Sequence, residues 1–110
     1  MSNKYYVLGQ ANLTAETPTD VYTVPSATET VISTIILANL ANTANTFRLS
    51  IRPNGESQAD KHYIAYDVPI AANDSTTLTL GITLDAADVI TAYSGASADI
   101  SVNVFGTEIS

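Results

Sequence analysis

The residues that decide the fold are 76–84, which read Thr-Thr-Leu-Thr-Leu-Gly-Ile-Thr-Leu. Apolar residues alternate there with polar or small ones, and a period of two is that of a β-strand, because successive side chains point to opposite faces of a sheet. One face carries Leu78, Leu80, Ile82 and Leu84, and the other carries Thr77, Thr79, Gly81 and Thr83. The pattern predicts a strand with one buried face and one face in water.

The same alternation recurs in two other segments. Along 46–53, Phe47, Leu49 and Ile51 face inward and a proline ends the strand; near the C-terminus, Ile100, Val102 and Val104 do the same. The β-branched run 31–38 predicts a strand covered on both faces, either at the centre of a sandwich or beneath a neighbouring subunit. Shorter extended candidates are 5–8, 20–24, 63–68 and 89–93.

About eight strands separated by turn residues every 8 to 15 positions are typical of an all-β sandwich or barrel. No segment with a helical period competes, and no linker or shift of composition divides the chain. We therefore predict one domain over residues 1–110, an antiparallel β-sandwich for which a jelly roll is one fitting topology.

Composition excludes several classes of protein. Eleven Asp and Glu against four Lys and Arg give a net charge of −7, which argues against a nucleic-acid partner, because phosphates are neutralised by a basic face. There is no cysteine, so neither a disulfide nor a thiolate metal site is available. The N-terminus lacks the apolar stretch of a signal peptide, and no run approaches the roughly 20 residues that cross a bilayer, so no membrane partner is expected.

Catalytic equipment is sparse. The single histidine, His62, precedes Asp67 by five residues, but no nucleophile elbow accompanies them, so a serine hydrolase is disfavoured. Asp85 and Asp88 offer oxygen ligands for a hard cation, although their spacing is not that of an EF-hand loop and such residues also serve turns. We expect no enzyme, no cofactor and no metal.

The few basic residues predict a docking patch. Arg48 and Arg52 lie on one outward strand face, and Lys61 with His62 opens the next strand. If these two strands pair, three of the four bases gather on one side of an acidic domain, which favours docking to an acidic protein surface. The alternative is that the arginines pair within the domain, with Asp67, Glu56 or Asp60, in contacts of small energy.

Three aromatic residues are candidate anchors for a partner: Tyr63, Tyr66 and Phe105. The alternation of the last strand places Phe105 outward, where a large ring marks a subunit contact. A bulge near Gly106 would instead turn the ring inward. Because a homo-oligomer covers its strand edges, self-association is expected.

Five phrases spread over nearly the whole chain resemble small virion structural proteins of tailed bacteriophages: LGQAN (8–12), VYTVP (21–25), TFRLSIRP (46–53), KHYIAYD (61–67) and VFGTEI (104–109). The resemblance implies a β-sandwich made in the host cytoplasm that attaches to a particle. Its favoured place is the outer surface of the head, as a decoration (cement) protein that binds the major capsid protein in clusters, with a trimer favoured. A tail, neck or baseplate component, or a receptor- or carbohydrate-binding module of the tail, is the alternative.

Overall fold

The alternating segments form strands in a computed structural model, which describes residues 3–95 and 99–110, with the side chains of residues 3–5 and of Leu80 outside the description. The strands are β1 (Asn3–Asn12), β2 (Thr19–Thr23), β3 (Glu29–Asn39), β4 (Asn45–Arg52), β5 (Tyr63–Ile70), β6 (Ser75–Leu84), β7 (Val89–Ser94) and β8 (Ile100–Ile109). Two 3₁₀ turns, Pro53–Gly55 and Asp60–His62, join β4 to β5. The predicted all-β fold of about eight strands is confirmed.

The strands form two antiparallel sheets. Sheet A has the order β1-β8-β3-β6, and sheet B has the order β2-β7-β4-β5. Every connection crosses from one sheet to the other except the one between β4 and β5, which are neighbours in sheet B. Because the first strand pairs with the last, most of the pairing joins residues far apart in the sequence.

The inner faces of the two sheets form the core. Sheet A contributes Ile35 and Leu37, while Phe47 and Leu49 enter from sheet B, and all four are fully buried. Burying an aliphatic or aromatic side chain of this size contributes about 1.5–3 kcal/mol, so this layer is the main source of stability. The predicted inward residues of β4 and β8 are therefore confirmed as core, apart from Ile51, which is partly buried against it.

The alternation of β6 is interrupted, which corrects the prediction of a regular strand. Ile32 of β3 pairs with Ile82 and Thr34 pairs with Thr79, so Leu80 and Gly81 together face the single residue Ser33. This is a β-bulge, which changes the local register. It divides β6 into a regular stretch, 75–79, and a short one, 82–84.

Cover on both faces of β3 was also predicted, either within the sandwich or beneath a neighbouring subunit. The described part of the chain covers one face only, and cover by a neighbouring subunit stays a prediction. Ile35 and Leu37 point into the core, whereas Ile36 between them is only half-buried on the outer face. β3 is central in its sheet, between β8 and β6, but its second face has no layer above it in the described part of the chain.

Phe105 keeps the outward position that the alternation of β8 predicts. Val104 before it is fully buried while Phe105 is half-buried. The extra residues lie in the neighbouring strands, since the register shifts between Val7 and Gly9 of β1 and around Ser33 of β3. The alternative of a Phe105 ring turned into the core is therefore wrong.

Candidate docking surface

The connection between β4 and β5 brings the predicted patch together. β4 and β5 pair antiparallel, with Ser50 opposite Tyr63, as the docking prediction required. Inward packing of Phe47, Leu49 and Ile51 turns the alternate residues Arg48 and Arg52 to the outer face of sheet B. We call the outer face formed by Arg48, Arg52, Lys61, Tyr63, Ile64, Tyr66 and Tyr93 the β4–β5 surface.

Arg48 is held from several sides. Its Nε donates to Asp67 Oδ1 at 2.7 Å and its Nη2 donates to Oδ2 at 3.4 Å, and this hydrogen bond raises the pKa of the guanidinium. The guanidinium carbon also lies 4.1 Å from the ring centroid of Tyr66 and 4.5 Å from that of Tyr93. Stacking of this kind orients the planar cation, so Arg48 is presented in a defined position.

Arg52 is embedded in contacts with its own domain. Its Nη2 lies 2.8 Å from Asp20 Oδ1, its Nε donates to Thr91 Oγ1 at 3.0 Å, and its Nη1 donates to the carbonyl of Glu56 at 2.8 Å. The side chain is only 16% exposed. Arg52 therefore ties β4 to β2, β7 and the 53–62 connection.

Lys61 and His62 differ sharply in exposure. The Lys61 side chain is 75% exposed, and its Nζ lies 3.8 Å from Glu56 Oε1. The His62 side chain is 3% exposed; its Nδ1 accepts the Ala59 N–H at 3.0 Å, which assigns the proton of the neutral ring to Nε2, 3.2 Å from Glu56 Oε1. His62 is a buried support of the connection rather than part of the exposed surface.

The aromatic part of the surface is open. Tyr63 and Tyr66 meet edge to face, with ring centroids 4.9 Å apart, and together with Asp60 they line a depression of about 390 Å³. Tyr66 is 55% exposed and Ile64 is 47% exposed. Tyrosine, arginine and an exposed aliphatic side chain are the residue types that form the energetic centres of protein interfaces.

Sequence reasoning missed three members of this arrangement. Tyr93 stacks on Arg48, Asp20 pairs with Arg52, and Ile64, between Tyr63 and Tyr66 in the sequence, is exposed. Tyr93 and Asp20 belong to strands β7 and β2, which are far from β4 in the sequence. Only the order of the strands in sheet B could reveal that they lie beside the arginines. Ile64 had a local signal, because the apolar run 63–66 has no polar residue to mark an outward face.

Phe105 lies apart from the other predicted contact residues, on the outer face of sheet A. Three rows of paired residues cross this face, and none of their side chains is charged or fully buried. We call it the uncharged face; it consists of Val7, Gln10, Asn12, Thr34, Ile36, Ala38, Ser75, Thr77, Thr79, Ser101, Asn103 and Phe105.

The residues considered for a hydrolase or a cation site do not assemble into either site. His62 faces Glu56 while Asp67 binds Arg48, so the two residues of the disfavoured hydrolase have separate partners. Asp88 accepts the backbone N–H groups of Asn54 and Asp85, both at 2.8 Å, and so shapes a turn. Over residues 3–95 and 99–110, no three His, Asp or Glu side chains gather as a metal would need. In the same ranges, no helix has the length and apolar character to cross a bilayer.

Comparison with solved structures finds a likeness of fold. A chain of the acidic-stable capsid structure of Helicobacter pylori bacteriophage KHP30 matches with a TM-score of 0.54 and 12% identity, covering 99% of this chain and 98% of that one. The Drosophila NLP core, a pentamer-forming and histone-binding protein, matches with a TM-score of 0.48 and 16% identity, with full coverage of both chains. No model of a protein family matches, and neither does any curated protein.

Proposed function

We propose that this chain is a non-enzymatic structural protein of a tailed-bacteriophage particle and that it decorates the outside of the assembled head. The observation that carries the proposal is the likeness of fold, over 99% of the chain, to a chain of a phage capsid structure. The phage-like phrases of the sequence support it independently. Such a protein stabilises a particle by binding the assembled shell and not the free subunits, so it needs a complementary surface and no reactive group.

The strand orders support a jelly-roll assignment within this proposal. Two four-stranded sheets, β1-β8-β3-β6 and β2-β7-β4-β5, with connections that cross between them, correspond to eight strands arranged as two Greek keys. We infer that the domain is a jelly roll, an architecture that viral capsid proteins use.

The β4–β5 surface is the proposed contact with the major capsid protein. Its centre is Tyr66 with the stacked Arg48, and Tyr63 and Ile64 lie beside them. Because Arg48 is already oriented by Asp67 and two rings, little side-chain entropy remains to be lost on binding. Lys61 adds a cation at the rim, the largely buried Arg52 holds one end of the surface in place, His62 supports it from beneath, and Phe105 would contact a different neighbour.

The charge of the chain supports a location on the outside of the shell. With a net charge of −7 it is repelled by packaged DNA, so the inner surface of the shell is an unfavourable location. We further propose that the copies cluster as homo-oligomers on the head, with three-fold clusters as the favoured arrangement.

The docking proposal is tested with heads that lack this protein, to which purified variants are added. Ile64→Glu places a charge on the β4–β5 surface two residues before Tyr66 in β5, and we expect it to lower the number of bound copies per head at least about tenfold. Leu40→Glu is the matched control, because Leu40 is an equally aliphatic, exposed residue in the β3–β4 connection. Bound copies are counted by quantitative mass spectrometry; full occupancy by the Ile64→Glu variant would remove the β4–β5 surface from the proposal.

A second candidate is a receptor- or carbohydrate-binding component of the tail. The observation that favours it is the depression between Asp60, Tyr63 and Tyr66, where tyrosine rings could stack on a sugar. Imaging of intact particles with a labelled chain separates the two candidates. Density over the whole head supports decoration, and density confined to the tail supports the alternative.

A further inference from the structure

The four edge strands of the sandwich are protected to different degrees. An edge strand presents unpaired N–H and C=O groups, and proteins guard such edges with charges, prolines, bulges, short strands or cover. In sheet B, β2 is five residues long and contains Asp20, while β5 contains Pro69 and the positive-φ residue Asp67. In sheet A, β1 carries a bulge at Leu8 and passes so close to β2 that a Cβ on Gly9 would lie 2.4 Å from the Val21 carbonyl oxygen.

The edge of β6 lacks most of these protections. Its ten residues include no charge and no proline, and within the described ranges no strand pairs with its outer side. The bulge at Leu80–Gly81 leaves the regular stretch 75–79, whose register with β3 is unbroken from Ser75 to Thr79. This stretch is a five-residue template for a further strand.

The core is also incompletely covered along this edge. Leu78 and Ile82 of β6 pack against the core but are only partly buried. Ala65 and Val68 of β5, the edge strand of the other sheet, also pack against the core and are only partly buried. A strand added beside β6 would therefore cover apolar surface as well as satisfy backbone groups.

We propose that the edge of β6 pairs antiparallel with the β6 edge of a second copy of this chain, centred on Thr77. This register uses the whole regular stretch, with Thr77 opposite Thr77 of the second copy and Ser75 opposite Thr79 of the second copy. These residues are exposed on the uncharged face, and Thr–Thr and Thr–Ser pairs across strands are favourable. Sheet A then continues into the second copy as one eight-stranded sheet.

The charge distribution favours a second copy as the occupant. Two chains of charge −7 repel each other, so they approach best where neither presents a charge. The acid nearest to Thr77 in the sequence is Asp74, three residues away, so the Asp74 residues of the two copies would lie about 20 Å apart, beyond the screening length at physiological salt. This contact has two-fold symmetry, is separate from the β4–β5 surface, and holds whether or not the chain belongs to a virion; on a head it would join one cluster to the next.

The test is a charge exchange at the symmetry axis, followed by sedimentation velocity and native mass spectrometry of the purified chain. We expect the wild-type chain to dimerise, and either Thr77→Lys or Thr77→Glu to raise the dimer dissociation constant at least about tenfold, because like charges then face each other directly. Mixing the two variants should restore a dimer that contains one of each. Thr83→Lys is the matched control, because Thr83 is exposed on the same strand beyond the bulge, and it should dimerise like the wild type.

Circular dichroism of each variant confirms that it is folded, which is expected because Thr77 is exposed and outside the core. A wild-type chain that stays monomeric at high concentration would overturn the proposal. A lysine–glutamate mixture that stays dissociated, or a Thr77→Lys variant that dimerises as well as Thr83→Lys, would also overturn it.

Discussion

The two outer faces of the sandwich use charge in different ways. On sheet B, Arg48 pairs with Asp67 and Arg52 pairs with Asp20, so the cations are present but already engaged. On sheet A, three rows of paired residues carry no charge, although the chain as a whole is strongly acidic. A partner that covers sheet B must accommodate oriented charges, which gives specificity, whereas a partner that covers sheet A loses few strong interactions with water.

The largest effect is expected where sheet A depends on close backbone approach. A Cβ on Gly106 would lie 2.2 Å from the Val31 carbonyl oxygen and 3.1 Å from the Cα of Ile32, so Gly106→Ala must push β8 away from β3. We expect a loss of about 3 kcal/mol in the free energy of unfolding, measured by urea denaturation. Gly81→Ala is the control, because nothing lies within 4 Å of its Cβ position, and it should change stability little. Equal losses for the two variants would contradict the packing argument.

The next effect separates the two arginines of sheet B. Arg52→Met should destabilise the fold by about 2 kcal/mol, because it removes a largely buried guanidinium that bonds Asp20, Thr91 and the Glu56 carbonyl at once. Arg48→Met should destabilise the fold less than Arg52→Met does, because the Arg48–Asp67 pair is more open to solvent. Arg48→Met should in turn weaken binding to heads more than Arg52→Met does. Thermal denaturation compares the stability of the two variants, and the head-binding assay compares their affinity for heads. If Arg48→Met were the less stable variant, or Arg52→Met the weaker binder, the assigned roles would be contradicted.

A smaller effect on stability, which depends on pH, comes from a hydrogen bond between the two sheets. Tyr22 of sheet B donates to Glu108 Oε2 of sheet A at 2.5 Å, and its hydroxyl lies 2.8 Å from that of Thr30. Burial, followed by the bond to Glu108, raises the pKa of Tyr22 well above its ordinary value of 10.0, and the bond to Glu108 also raises the pKa of Tyr6. Because the folded-state pKa is the higher one, this stabilisation is complete below pH 10 and declines as the pH rises beyond it.

We therefore expect Tyr22→Phe to cost about 1 kcal/mol near neutral pH and to flatten the alkaline loss of stability. Urea denaturation of both proteins at neutral pH and at several values above pH 10 measures the difference. If both lost stability in parallel above pH 10, the link between the sheets would not involve ionisation of Tyr22.

Much of the fold was predictable from local pattern. The strand of Phe47, Leu49 and Ile51 and the strand of Val102 and Val104 were recognised from alternation, and both supply the core. The interruption of β6 was not predictable, because Leu80 and Gly81 continue the alternation in sequence and only the pairing with Ser33 reveals the bulge. Cover above Ile36 was predicted from its apolar neighbours, and residues 3–95 and 99–110 supply none, so only a neighbouring subunit could provide it.

The candidate surface was predictable in part. That Arg48 and Arg52 share an outward face follows from their spacing, whereas the pairing of β4 with β5 was only the condition of the docking prediction, and the structure meets it. The burial of His62 was not evident, since a single residue in a connection has no periodicity. Phe105 was assigned outward, but its separation from Tyr66 by the thickness of the sandwich depends on the order of the strands in the two sheets.

The sequence by itself determined the all-β class, the inward and outward residues of the regular strands and the acidic character, because side-chain alternation and composition are local properties of a chain. Only the tertiary structure decided which acid meets each arginine, which ring stacks on Arg48 and which edge stays open. Those contacts join residues far apart in sequence, as Arg52 and Asp20 do, and they exist only once the order and register of the strands are set.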